Sequence, residues 1–404
     1  MKSNQKKLEK KNKNNTRNLI IIFFSLFLIL FLFFLSLFYF FSDNKNLKEI
    51  TPIAPREELT VDYDFKADVY FNDKLGENIF SDEVIKSINS ATNTIEIAVY
   101  AMNDSNIKEA LKKAADRGVE IVVLVCSKGK DIHDVFFADI ENFITRKDIT
   151  YSFWKNNRSY LMHHKFIIID RQLESRTLFF GSYNFTYLQE KYDPSFLIKT
   201  NDENFVRIFG EEFDRINSGI HGARKTIENV NPFAARIKYK NGFIEIWFSP
   251  GDKYNNAKNR MIELAKNTQE KIRIMIWLWT DRGLAKEILL IPKDKKITMI
   301  TDESNLNQNG SVFKNIFKVG VYDNVEVITD EKRQYEMQEL GQNILNSFLH
   351  QHTMIIDDKI LITGTNNWSI AGFFNNDESI IISDIPFLVE SFVDSFKINY
   401  LKNK

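Results

Sequence analysis

The chain has 404 residues, 54 basic and 54 acidic side chains, 44% hydrophobic residues with 35 Phe, and one Cys. That length accommodates two ordinary domains plus accessory segments, and a lone cysteine excludes an intrachain disulfide. Zero formal net charge argues against a general nucleic-acid binder, whose affinity rests on Lys and Arg neutralising phosphates.

Residues 1–18 carry six Lys, Arg17 and one Glu, so this tail holds +6 and the rest of the chain −6. Leu19 to Phe41 is apolar but for Ser25 and Ser36, long enough for the ~20-residue helix that crosses a bilayer. The basic flank predicts a cytoplasmic N-terminus and an extracytoplasmic remainder. Because the run exceeds the ~7–15 apolar residues of a signal peptide and no A-x-A site follows, an uncleaved single-pass anchor at 19–41 is expected. Residues 42–60, polar with Pro52 and Pro55, are expected to be a linker tethering the next domain near the bilayer.

Ala67 to Val125 and Ile244 to Thr301 each show an aromatic strand, a polar loop, an amphipathic helix and an apolar strand. Their offset of roughly 180 residues marks a tandem duplication rather than a solenoid. Alternating strands and helices predict an α/β chain of two pseudo-repeated domains, each a mixed β-sheet flanked by helices. The expected bounds are 61–225 and 243–404, with a linker at 226–242.

Both repeats end in one peculiar segment. In the first, His163, Lys165 and Asp170 follow the spacing His-x-Lys-x4-Asp, then Gly181, Ser182 and Asn184 read Gly-Ser-x-Asn. In the second, His350 and Asp357 keep the offset, Gly364, Thr365 and Asn367 follow, and His352 stands where Lys is expected. Side chains two apart on a strand share a face, so His163 and Lys165 project together. Four of the six His lie in these segments, and recurrence at matching places outweighs a structural role. His133 and His221, without a motif, are expected at the surface. Trp277 and Trp279 alternate with apolar residues and are expected in the core.

These paired motifs resemble those of the phospholipase D superfamily, over roughly Val61 to the C-terminus. The resemblance implies two phospholipase D-like domains completing one active site within the chain, with neither a cofactor nor a metal. It further implies a phosphohistidine intermediate, with His163 as nucleophile and His350 as general acid, since imidazole titrates near pH 6.5. Lys165, Asp170, His352 and Asp357 complete the expected catalytic set. Lys165, Asn184 and Asn367, with Ser182 and Thr365, would hold or orient the phosphate oxygens. Glu378, downstream of the second motif, would orient an imidazole. The matching first-half stretch, KYDPSFL, offers Ser195 or Asp193 depending on alignment, with Asp193 expected in a solvated loop. His352 in place of Lys predicts activity that favours acidic pH, or a degenerate half.

The expected function is hydrolysis of phospholipid headgroups, with membrane phospholipid as substrate, residues 19–41 in the bilayer and no obligate protein partner. Three alternatives stay open: a membrane-tethered nuclease using Lys155, Arg158, Lys238 and Lys240, a cardiolipin synthase-like phosphatidyltransferase, and an inactive phosphate-binding module.

Overall fold

The computed structural model describes residues 54–404, apart from 74–76, 150–152, 155–157, 252–255, 319 and 331–347. The expected tail, the membrane-spanning run and most of the tether therefore lie outside the described residues. Among the described residues, no helix is long and apolar enough to cross a membrane.

The strands, in chain order, are β1 (Glu57–Thr60), β2 (Asp68–Phe71), β3 (Thr94–Val99), β4 (Glu120–Cys126), β5 (Thr145–Ile149), β6 (Phe153–Trp154), β7 (Arg158–Ser159), β8 (Lys165–Ile169) and β9 (Thr177–Gly181). They continue with β10 (Phe196–Thr200), β11 (Phe233–Tyr239), β12 (Gly242–Ser249), β13 (Lys271–Ile276), β14 (Lys296–Thr301), β15 (Val325–Thr329), β16 (His352–Ile356), β17 (Ile360–Gly364) and β18 (Glu378–Ser383). One sheet runs β2-β10-β9-β8-β3-β4-β5 and the other β1-β11-β12-β18-β17-β16-β13-β14-β15, while β6 pairs with β7. Seven strands of the larger sheet repeat the order of the smaller one, so the duplication read in the sequence is a duplication of topology. Both sheets mix parallel pairs such as β3 with β4 and antiparallel pairs such as β3 with β8.

The two further strands of the larger sheet correct the expected boundaries. Residues 226–242 were expected as a linker, yet they hold β11, and the end of the expected tether forms β1, paired in parallel with it. Phe233, Ala235, Ile237 and Tyr239 alternate along β11 and are all buried, a period of two that specifies a strand.

The main helices are α1 (Ile79–Ser90), α2 (Ser105–Asp116), α3 (Glu203–Asn217), α4 (Ala257–Lys266), α5 (Arg282–Leu289) and α6 (Pro386–Asn403). Side chains at the N-caps of α2 to α5, Asp104, Asp202, Asn256 and Asp281, accept backbone N–H groups of the first turn, satisfying donors that a helix start leaves unpaired. α1 and α2 cover one face of the smaller sheet over Ile95, Ile97, Val123 and Phe179. α3 and α6 lie in one continuous core shared by both sheets, which joins Phe166, Phe180 and Phe209 of the first half to Ile246, Phe248 and Phe392 of the second. Residues 54–404 accordingly form a single compact unit.

Candidate active site

β8 and β16 are central strands, buried along their whole length. Each is preceded by its motif histidine, so the apolar runs after His163 and His352 fix the histidine ends of the motifs where the two halves meet. His163 N–H donates to the carbonyl of Asp377, 2.8 Å, and Asp377 N–H donates to Leu161, 2.9 Å. The approach to the first motif is thus bonded to the start of β18 in the other half. Gly181 and Gly364 end β9 and β17 at the next strand, where a Cβ would collide with the carbonyl of Phe196 or Ser379.

His163 Nδ1 lies 2.7 Å from Glu378 Oε2. The same carboxylate accepts Thr365 Oγ1 at 2.7 Å and Asn376 Nδ2 at 2.9 Å. Thr365 Oγ1 itself accepts from Ser379 N–H, so its hydroxyl proton is free for Glu378. With donors on both oxygens, Glu378 when ionised is purely an acceptor, and in that state the imidazole proton sits on Nδ1 and the Nε2 lone pair is left for chemistry. Lys165 Nζ sits 3.2 Å from that Nε2 and 2.9 Å from the His163 carbonyl, and Tyr100 closes one side, its ring 4.9 Å from that of His163.

Burial sets the electrostatics. It pushes the Glu378 carboxyl up to about 8, against the pull of Lys165, Asn376 and Thr365, and the Lys165 ammonium down to about 7. His163 is held well below 6.5 by burial and by Lys165. Burial and the charges of Lys165 and His163 lower His350 as well, so both motif histidines answer to the same lysine.

The second motif lacks most of these supports. In register, Gly364 pairs with Ile380 and Gly181 with Leu197, so Ser195, not Asp193, occupies the position of Glu378. Its hydroxyl donates to Asp193 O, and His350 Nδ1 is buried without a partner. Asp193 is buried rather than solvated and accepts Phe348 N–H at 3.0 Å, just before His350. His352 packs on His350, ring centres 5.1 Å apart, with both nitrogens buried and unpartnered.

Other expected residues divide cleanly. Asn184 Oδ1 and Asn367 Oδ1 are buried without a partner; as acceptors they call for a donor, and a phosphate oxygen would take the Nδ2 amide of each residue instead. Ser182 Oγ accepts Phe196 N–H, so it shapes the loop. Asp170 and Asp357, expected to be catalytic, stand beyond the far ends of β8 and β16, a five-residue strand and so ~17 Å away. Asp170 accepts the amides of Thr92, Asn93 and Thr94 plus two hydroxyls, and Asp357 those of Gln269, Glu270 and Lys271 plus Thr268 Oγ1. They brace the turns before β3 and β13 and do not join the site. Both take φ near +50°, a left-handed turn that Asp tolerates.

Trp279 is core, against Phe313, Phe317 and Trp368, but Trp277 is half-buried beside His350, the counterpart of Tyr100. His133 is fully buried, not at the surface, and His221 meets Tyr160 Oη at 3.0 Å. Lys238 and Lys240 pair with Glu58 and Asp62 on the β1–β11 edge, and Lys155 lies outside the described residues.

The family model described as "Cardiolipin synthase, PLD-like domain" matches residues 84–217 and 261–399, about two-thirds of the chain. Among curated relatives, mitochondrial cardiolipin hydrolase of Xenopus laevis is 22% identical over 144 residues, 35% of this chain and 60% of that protein. The human protein of the same name is 29% identical over 146 residues, 35% and 52% of the two chains. The match therefore spans little more than half the length of these relatives. Among solved structures, phosphatidylserine synthase of Haemophilus influenzae shares the fold with TM-score 0.58 at 13% identity, over 83% of this chain and 87% of that one.

Proposed function

This chain belongs to the family of cardiolipin synthase PLD-like domains, within the phospholipase D superfamily, and from that membership we propose that it hydrolyses phospholipid headgroup phosphodiesters through His163, without a metal. The observation that carries the reading is the clamp of Glu378 on His163 Nδ1 across the two halves, because it frees Nε2 to attack phosphorus. As the P–Nε2 bond forms, the bond from phosphorus to the leaving oxygen breaks, and His350, which burial keeps neutral in the free protein and which takes up a proton when the anionic phosphodiester binds beside it, gives that oxygen its proton. Water then attacks phosphorus, His350 takes the water's proton, and the P–N electron pair returns to Nε2. Lys165, Asn184 and Asn367 hold the non-bridging oxygens, stabilising charge that grows in the transition state.

A lipid substrate is supported by the apolar run at 19–41, which would hold the chain in a membrane with the site outside, and by likeness to relatives named for cardiolipin hydrolysis. Transfer of the phosphatidyl group to an alcohol is the second reading, favoured by the family model's description. It needs only an alcohol in place of water in the second step.

The test is turnover by the full chain on mixed phospholipid vesicles, with EDTA present and single-stranded DNA assayed in parallel. Release of free headgroup, lost in His163→Ala, is the expected result. Products carrying an added alcohol in place of water would move the assignment to a transferase, and cleavage of DNA alone to a nuclease.

A further inference from the structure

We propose that Lys225 is a positioning residue for the His163 nucleophile, acting through Asp377 and Glu378. Lys225 lies in the short helix Ala223–Ile227, in the chain that joins the two halves, and it is buried. Its ammonium meets Asp377 Oδ1 at 2.7 Å, the carbonyl of Ser249 at 3.1 Å, and Glu212 of α3. Glu212 also takes Arg215 at 2.9 Å and His164 Nε2 at 3.2 Å. Two cations and two carboxylates thus balance, the condition under which buried charge persists.

The cluster is built around the backbone that carries the nucleophile. Asp377 gives its carbonyl to His163 N–H, its Oδ1 to Gly222 N–H, and its own N–H to Leu161. The residue after it is Glu378, the clamp on Nδ1. Ser249, whose carbonyl Lys225 holds, turns its hydroxyl to Asn376 O, and Asn376 holds the other oxygen of Glu378. Lys225 therefore grips both sides of the peptide that sets Glu378 against His163, while His164, adjacent to the nucleophile, is held from α3.

The duplication supplies the control. Matching the two repeats makes Gln351 the counterpart of His164 and Pro194 the counterpart of Asp377, and Gln351 Nε2 meets Ser395 Oγ of α6 at 3.3 Å where His164 meets Glu212 of α3. In the second half the matching contact is between two neutral side chains, with Ser395 Oγ passing on to Asp73 Oδ1 at 3.1 Å, so the fold does not demand a buried lysine at this place. The charge cluster accompanies the motif that also has Lys165 and receives the carboxylate clamp from the other half.

The inference rests on the reading of His163 as the reacting group. The test is a triple variant, Glu212→Gln, Lys225→Met and Asp377→Asn, which removes the three fully buried charges of the cluster and leaves only Arg215, whose side chain reaches solvent. It is compared with Lys225→Arg and with Ser395→Ala, the mirror site. The expected result is a variant that melts as one unit yet loses kcat at least tenfold with KM within threefold, while Lys225→Arg recovers part of the rate and Ser395→Ala is unchanged. Nitrogen-15 NMR of labelled His163 gives a second readout that needs no turnover: the wild type holds its proton on Nδ1, and the triple variant mixes tautomers. A folded triple variant with wild-type kcat, or with His163 still locked as the Nδ1–H tautomer, overturns the proposal. Absence of turnover in the wild type, with the tautomer still responding to the variant, would instead count against the hydrolase reading alone.

Discussion

Glu378 and Lys165 are buried partners of one imidazole, and their protons decide what it can do. The productive state needs an ionised Glu378 to fix the tautomer and a charged Lys165 to take the phosphate oxygen. Burial opposes both, holding Glu378 up to about 8 and Lys165 down to about 7, so the pair titrates as a unit near neutrality. As pH falls through 8 Glu378 gains a proton, and as pH rises through 7 Lys165 loses one. The kcat/KM profile is therefore expected to be a narrow bell peaking between about 7 and 8, and a plateau from pH 5 to 9 would refute this. Lys165→Arg, which stays charged, should lower the rate but remove the alkaline fall. The acid preference expected from His352 gives way, because burial holds His352 well below 6.5 and neutral over this range. Glu378→Gln keeps the shape of the clamp but no longer enforces Nδ1–H, and kcat should fall about 10²- to 10⁴-fold with little change in KM.

At the scale of strands and turns, the motif separates into two jobs that its spacing does not distinguish. His163 and Lys165 enter β8 at the site, whereas Asp170 leaves it at the other end and gathers three amides. Asp170→Ala strands those donors and should cost about 2–4 kcal/mol of stability while the folded fraction keeps its kcat. Thermal melts beside active-site titration check both, and a loss of kcat at unchanged Tm would return Asp170 to the catalytic set. Burial opposes the lowering, but the amides and Thr92 hold this carboxyl below its usual range, so its stabilisation is present above pH ~4 and lost on acidification below that. Duplication, element order and the His-Lys and Gly-Ser-x-Asn positions were legible because period and spacing record them directly. β11 hid in a stretch read as a linker, although its alternation was there to see. The partner of Glu378 was not legible, since a carboxylate in one half bonding an imidazole 215 residues away depends on how the sheets pack, which no local pattern encodes.

For the whole molecule, the question is whether two repeats mean two folding units. Phe392 of α6, in the second half, packs on Phe71 and Phe196 of the first, ring centres 4.9 and 5.0 Å apart, and the core around it has no seam between the halves. The strand joining them, β11, belongs to the second sheet and pairs with β1 from the start of the first half, so the start of the chain's first half closes the edge of the second sheet. Neither sheet keeps its buried face if the other leaves. Calorimetry on the full chain should therefore show one transition for residues 54–404, with calorimetric and van't Hoff enthalpies equal. Phe392→Ala removes a fully buried ring from the shared core and should cost about 3–5 kcal/mol, lowering that one transition as a whole. Two resolved transitions, with only the later-sequence half shifted by Phe392→Ala, would show that the halves fold apart. The site would then be assembled by docking rather than built into a single core.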